Sequence, residues 1–233
     1  SEEYNSISKD TATLYAQQAY AISIKLDNEE QKFQSAKLLS SGYLEKGITA
    51  RALEYALLAL RFAEASGNKK NIIEANASIA NIYAGNLQNL PKALEYGKRA
   101  LGIAKESGDL HSIIANLESV SLIYFNFRKF DEALSYSDQQ YKSALAATDT
   151  TAIVNALSGL GDAYRAKRNF AEALSYYNKA IQISKPLSNN LHLVFIYNNI
   201  GVIYTDSGDY KTAIKYFLWA VKIAEAHGLK TML

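Results

Sequence analysis

Apolar residues recur along the chain at intervals of three and four. Ile196, Ile200, Ile203 and Tyr204 form one stripe; Ala213, Ile214, Phe217, Ala220, Val221 and Ala224 form the next. That spacing puts each set on one face of an α-helix. Two stripes separated by a short polar break predict a pair of antiparallel helices. The pairs expected are 33–46 with 50–66, 71–85 with 90–106, 110–126 with 130–147, 150–167 with 170–185, and 190–206 with 210–227. Another helix is expected over 10–26, where Ala12, Tyr15 and Ala19 stand one period before Ala52, Tyr55 and Ala59. Its partner is missing or incomplete.

The pairs are copies of one unit. Ala-Leu-x-Tyr occurs at Ala52, Ala93, Ala133 and Ala173, and with Ile at Ala213, at steps of 41, 40, 40 and 40. A second column, Tyr43, Tyr83, Tyr124, Tyr164 and Tyr204, keeps the same beat, and a fixed period of this size is the signature of stacked helical hairpins. One extra residue falls between Tyr83 and Ala93, near Gly85 and Pro91, which predicts a longer turn there. Asn68, Asp109, Asp149 and Asn189 precede apolar runs as N-caps, and Gly67, Gly108 and Gly228 suit left-handed helix ends. Pro91 stands at an expected helix start and Pro186 just past an expected end, where proline is tolerated. No linker interrupts the pattern, so 1–233 is read as one solenoid. Within it, 1–32 is a partial repeat, 33–227 five hairpins, and 228–233 the start of a further repeat cut from a longer chain.

Leu160-Gly161-x-x-Tyr164 with Phe170, Ala173, Tyr177 and Ala180, and Ile200-Gly201-x-x-Tyr204 with Tyr210, Ala213, Phe217 and Ala220, resemble the tetratricopeptide repeat. Ser40, Ala80 and Ser121 depart from it by replacing the glycine. Ser137 and Gln140 depart too, so the 110–147 hairpin is expected to pack least well. The resemblance implies an all-α, right-handed superhelical solenoid of the long-helix kind found in bacterial sensor and signalling proteins. The alanine column would let helices approach closely, and the tyrosine column would fill space between successive hairpins.

Composition narrows the function. Twenty-five Lys and Arg against 23 Asp and Glu, without a run of like charge, give no track for a phosphate backbone, so direct nucleic-acid binding is not expected. No cysteine is present, which removes thiolate ligands and nucleophiles and leaves the compartment unread. No window is apolar enough to span a membrane, so no membrane contact by this segment is expected. His111, His192 and His227 lie in no catalytic or metal-binding motif, and His227 suits a helix C-terminus. No enzyme activity, cofactor or metal is expected.

The chemistry left is recognition. In the resembled family the first helices of successive units line a concave groove. That register selects Lys37, Ser41, Asn81, Glu118, Leu122, Phe125, Asn155, Asp162, Arg165 and Asn198 as a peptide-binding surface. Asparagine amides would hold a peptide backbone, and Leu122 with Phe125 would take an apolar side chain. Lys37 is followed by Ser41 and then Ser78, so the family's clamp for a C-terminal carboxylate is not formed. The reading is a non-catalytic protein- or peptide-binding scaffold, the interaction or sensory segment of a larger bacterial signalling protein. A spacer or oligomerisation solenoid that self-associates end to end is the alternative. A small-molecule site built on Asp162, Arg165 and Glu118 is a further one.

Overall fold

The computed structural model describes residues 2–26, 28–185 and 191–227. Among these residues the chain forms eleven α-helices and no strand. They are α1 (Glu2–Lys25), α2 (Glu29–Glu45), α3 (Thr49–Ser66), α4 (Lys69–Asn81), α5 (Leu90–Ser107), α6 (Leu110–Asn126), α7 (Phe130–Ala146), α8 (Thr150–Ala166), α9 (Phe170–Ser184), α10 (Leu191–Asp206) and α11 (Tyr210–Ala226). The chain divides into two compact units, Ser1–Ile123 and Tyr124–Leu233. In each, helices adjacent in sequence pack on one another. The fold is the expected all-α helical repeat.

Four α2–α3-type turns are closed by the same backbone device. The N–H groups of Ile48, Lys129, Asn169 and Asp209 donate to the carbonyls of Tyr43, Tyr124, Tyr164 and Tyr204, five residues back, at 2.8–2.9 Å. The residue before each donor is left-handed: Gly47, Arg128, Arg168 and Gly208 have φ of 72°, 59°, 61° and 81°. This is the helix-ending motif in which a left-handed residue lets two orphan carbonyls find donors. In the 69–107 hairpin the bond spans six residues, Asn89 to Tyr83 at 2.8 Å. The extra residue is absorbed by a π turn, Ile82–Asn86, closed by Leu87 N–H on the Ile82 carbonyl at 3.1 Å.

The expected caps are formed where they can be seen. Asn68 accepts from Lys70 and Asn71, Asp109 from His111 and Asp149 from Ala152. Gly67 and Gly108 are left-handed, with φ of 67° and 71°. Asn189, Pro186, Gly228 and the expected further repeat lie outside the described residues. The N-terminal helix is longer than expected, and it closes on α2 through Thr13, whose Oγ1 lies where a Cβ on Gly42 would meet it at 3.0 Å.

The two tyrosine columns pack differently from expectation. They stack on each other inside a hairpin rather than filling space between hairpins. Tyr43–Tyr55, Tyr83–Tyr96, Tyr124–Tyr136, Tyr164–Tyr176 and Tyr204–Tyr216 have centroids 5.4–5.9 Å apart and planes within 24°. Each pair joins the last turn of one helix to the second turn of the next. Tyr15 stands outside this scheme at 65 % exposure, and Tyr20 meets the Tyr55 ring edge-on instead. Ser137 and Gln140, the departures in α7, are both buried, at 2 % exposure.

Candidate functional site

What sets the geometry of the first-helix face is a pair of positions, one on each helix of a hairpin. In the Tyr124–Leu233 unit the pairs are Gly161 with Tyr177 and Gly201 with Phe217. A Cβ on either glycine would come within 2.6 Å of the facing ring, so the aromatic fits only because the glycine has no side chain. Earlier in the chain the same positions hold Ser40 with Ala56 and Ala80 with Gly97. There the first helix carries a side chain and the second is reduced to a small one. A Cβ on Gly97 would lie 3.7 Å from that of Ala80, in ordinary contact.

Where Ala56 stands in place of a ring, the space stays open. A recess of about 140 Å³ lies between α2 and α4 over α3, with Phe33, Ala56 and Ala59 as its apolar floor. Its rim carries Lys37, Ser41 and Asn81, three of the residues selected from the sequence, beside Ser78. Lys37 Nζ pairs with Glu74 at 2.9 Å and lies 5.5 Å from the centre of the Phe33 ring. Ser40 does not reach into the recess for a partner, because its Oγ donates to the Ala52 carbonyl at 2.9 Å.

In the other unit the equivalent space is filled. The Tyr177 ring is fully buried, and its hydroxyl donates to Asp162 Oδ1 at 2.5 Å. Asn199 Nδ2 donates to the same oxygen at 2.7 Å. Burial pushes the Asp162 carboxyl above its ordinary range, while the Tyr177 hydrogen bond and the Arg165 charge pull the other way. Burial and the Asp162 charge push the Tyr177 hydroxyl up as well. Asp162 therefore holds the hairpin pair together, rather than standing free toward a ligand as the sequence reading placed it.

The remaining selected residues divide. Phe125 and Arg165 line one cleft of about 450 Å³ at the hairpin turns. Glu118 and Leu122 are exposed on α6, Asn155 is half-buried on α8, and Asn198 is exposed on α10. Two residues on this face escaped the sequence reading. Phe195 is 54 % exposed, one turn before Asn198 and in the column of Asn155, a place where register alone would have found it. Asn199 bonds Asp162 from the neighbouring first helix, and no spacing rule announces that bond. Among the described residues no three potential ligands gather to hold a metal, and no helix is long and apolar enough to cross a membrane.

Comparison with known proteins agrees with this architecture. Residues 152–226 match the family model described as tetratricopeptide repeat. Among curated proteins no match to the sequence is found. Among solved structures, BtubC (BKLC) from P. vanneervenii superposes with a TM-score of 0.80 at 18% identity, covering 94% of this chain and 92% of that one. A Rap protein complexed with Competence and Sporulation Factor gives 0.69 at 14%, covering 97% and 72%. A STAND protein with a tetratricopeptide repeat sensor, PH0952 from Pyrococcus horikoshii, gives 0.71 at 19%, covering 94% of this chain and 35% of that one. Over residues 152–226 the chain resembles the tetratricopeptide repeat, and its fold is that of an all-α helical repeat.

Proposed function

We propose that the chain is a non-catalytic peptide-binding scaffold, with the first helices of its hairpins as the docking face. The observation that carries this reading is the recess beneath Lys37, Ser41 and Asn81. It has an apolar floor, hydrogen-bonding groups on the rim, and a cation at its mouth. Such a site takes an apolar side chain of a bound peptide while Ser41 and Asn81 satisfy its backbone, which would otherwise be desolvated without partners. Exposed Phe195 and Asn198 offer the same two chemistries on α10. The structurally similar Rap protein, complexed with Competence and Sporulation Factor, supports a ligand-binding role for this fold. The STAND protein's repeat sensor supports a reading of the chain as the sensory segment of a larger signalling protein.

Selection from a random peptide library displayed on phage tests the docking face. The selected peptides are expected to lose about tenfold or more in affinity for the Ser41→Ala, Asn81→Ala double variant, the effect of two lost hydrogen bonds. Unchanged affinity in a folded double variant would move the site elsewhere. A second reading, end-to-end self-association, is favoured by the stripe Tyr210, Ile214 and Leu218 on α11, each more than half exposed. Light scattering of the chain and of its Leu218→Glu variant distinguishes a dimer closed by that stripe from a monomer.

A further inference from the structure

The cleft at the hairpin turns of the Tyr124–Leu233 unit has a chemistry that the peptide reading does not use. Its wall carries Arg128, Arg165 and Arg168, together with Phe125, Phe130 and the single carboxylate Asp206. None of the three guanidinium groups belongs to an ion pair among the described residues. Arg165 lies near enough to Asp162 to pull its carboxyl down, but Arg165 Nε is buried with no hydrogen-bond partner. A buried donor left unmade costs about 1–3 kcal/mol, more when the group is charged.

Backbone conformation adds an independent observation. Arg128 and Arg168 occupy the left-handed position of their turns, at φ of 59° and 61°, and the same position holds Gly47 and Gly208 in other hairpins. A left-handed L-residue costs about 1–2 kcal/mol that glycine avoids. Each arginine lies against a ring, Arg128 5.8 Å from the centre of Phe130 and Arg168 5.4 Å from that of Phe170, which offsets part of this. Stacked guanidinium groups keep their edge donors free to point at a ligand.

We infer that this cleft binds a phosphate group, through Arg128, Arg165 and Arg168. A phosphomonoester brings about two negative charges and three acceptor oxygens to a cleft of about 450 Å³ with positive charge in excess. The arginines at the two turns approach the ligand from successive hairpins, beside Arg165 on the same wall. A phosphorylated side chain and a free phosphate ester share this chemistry. The inference stands apart from the recess under Lys37.

Titration of the whole chain with inorganic phosphate and with the peptide acetyl-Gly-phosphoserine-Gly-amide, followed by NMR of the arginine Nε–H groups, tests it. A saturable shift of the Arg165 signal is expected with a phosphate-bearing probe, and none with the unphosphorylated peptide or with sodium chloride at equal ionic strength. Tighter binding of the phosphopeptide assigns a modified protein partner as the source; tighter binding of inorganic phosphate assigns a free ester. The double variant Arg128→Gly, Arg168→Gly keeps its turns, since glycine serves at the same positions elsewhere. It is expected to melt no lower than the parent and to bind about tenfold or more weakly. Ser41→Ala, Asn81→Ala leaves phosphate binding unchanged, so failure of the peptide reading is told apart from failure here. A shift that does not saturate, that salt reproduces, or that the double glycine variant retains would overturn the assignment.

Discussion

The Ser1–Ile123 and Tyr124–Leu233 units solve one packing problem in opposite ways. In the later unit glycine on the first helix admits an aromatic ring from the second, at Gly161–Tyr177 and Gly201–Phe217. In the earlier unit Ser40 and Ala80 occupy the glycine position and the ring is gone, replaced by Ala56 and Gly97. The earlier unit keeps a recess where the later one is filled, and Ser41 and Ser78 line open space where Asp162 and Asn199 are bonded together. The same period thus builds an open notch of about 140 Å³ in one unit and a closed polar lock in the other.

Removing the ring should have the largest effect. Tyr177→Ala takes away a fully buried aromatic and the donor to Asp162, and is expected to destabilise by about 3–5 kcal/mol in urea unfolding. Next come the glycines. Gly161→Ala and Gly201→Ala force a Cβ to within 2.6 Å of a ring, an overpacking expected to cost about 1–3 kcal/mol. Combining Gly161→Ala with Tyr177→Ala should be clearly less damaging than the sum of the two, because the clash vanishes with the ring. Additive losses would mean that the glycine serves something other than the aromatic.

A pH dependence sharpens the lock. Because burial raises the folded-state pKa of Asp162 above its ordinary value, the favourable contribution is fully present below the normal carboxylate range and is lost as pH rises through the raised value. The stability of the parent relative to Asp162→Asn should therefore be greatest in acid and fall toward neutrality. A difference that is constant from pH 4 to pH 8 would deny the shift. Smallest of all is Gly97→Ala: helix propensity favours it by about 0.5–1 kcal/mol. The new Cβ meets the end of Ile123 at 3.1 Å, a Val120 methyl at 3.5 Å and the Ala80 methyl at 3.7 Å, so the net change should stay within about 1 kcal/mol.

This contrast also explains what could be read in advance. Helix positions were legible because the hairpins repeat the same apolar stripe, N-cap and turn, and a longer turn was announced by the one-residue excess between Tyr83 and Ala93, though not its form as a π turn at 82–86. The family match falls on 152–226, the stretch that holds both glycine–aromatic pairs. At Ser40–Ala56, Ala80–Gly97 and Ser121–Ser137 the ring is absent, and the pattern fades although the fold does not. The site was legible only by register. Register placed Lys37, Ser41 and Asn81 on one face, and they do share a recess. It could not tell that Asp162 turns to Tyr177 and Asn199, since that depends on a ring reaching across from the second helix. Nor did it single out Arg128 and Arg168, whose left-handed backbone is a property of the turn.

Filling the recess is the most direct test of the claim that it is the peptide subsite. Ala56→Phe alone should clash with Ser40, by analogy with Gly161 and Gly201, and lose about 1–3 kcal/mol. Adding Ser40→Gly recreates the later unit's pairing and should recover stability relative to Ala56→Phe alone. With that folded double variant, the affinity for library-selected peptides is measured by fluorescence anisotropy. Loss of about tenfold or more, with the parent's helical circular dichroism retained, is the result predicted; affinity equal to the parent's would contradict the account.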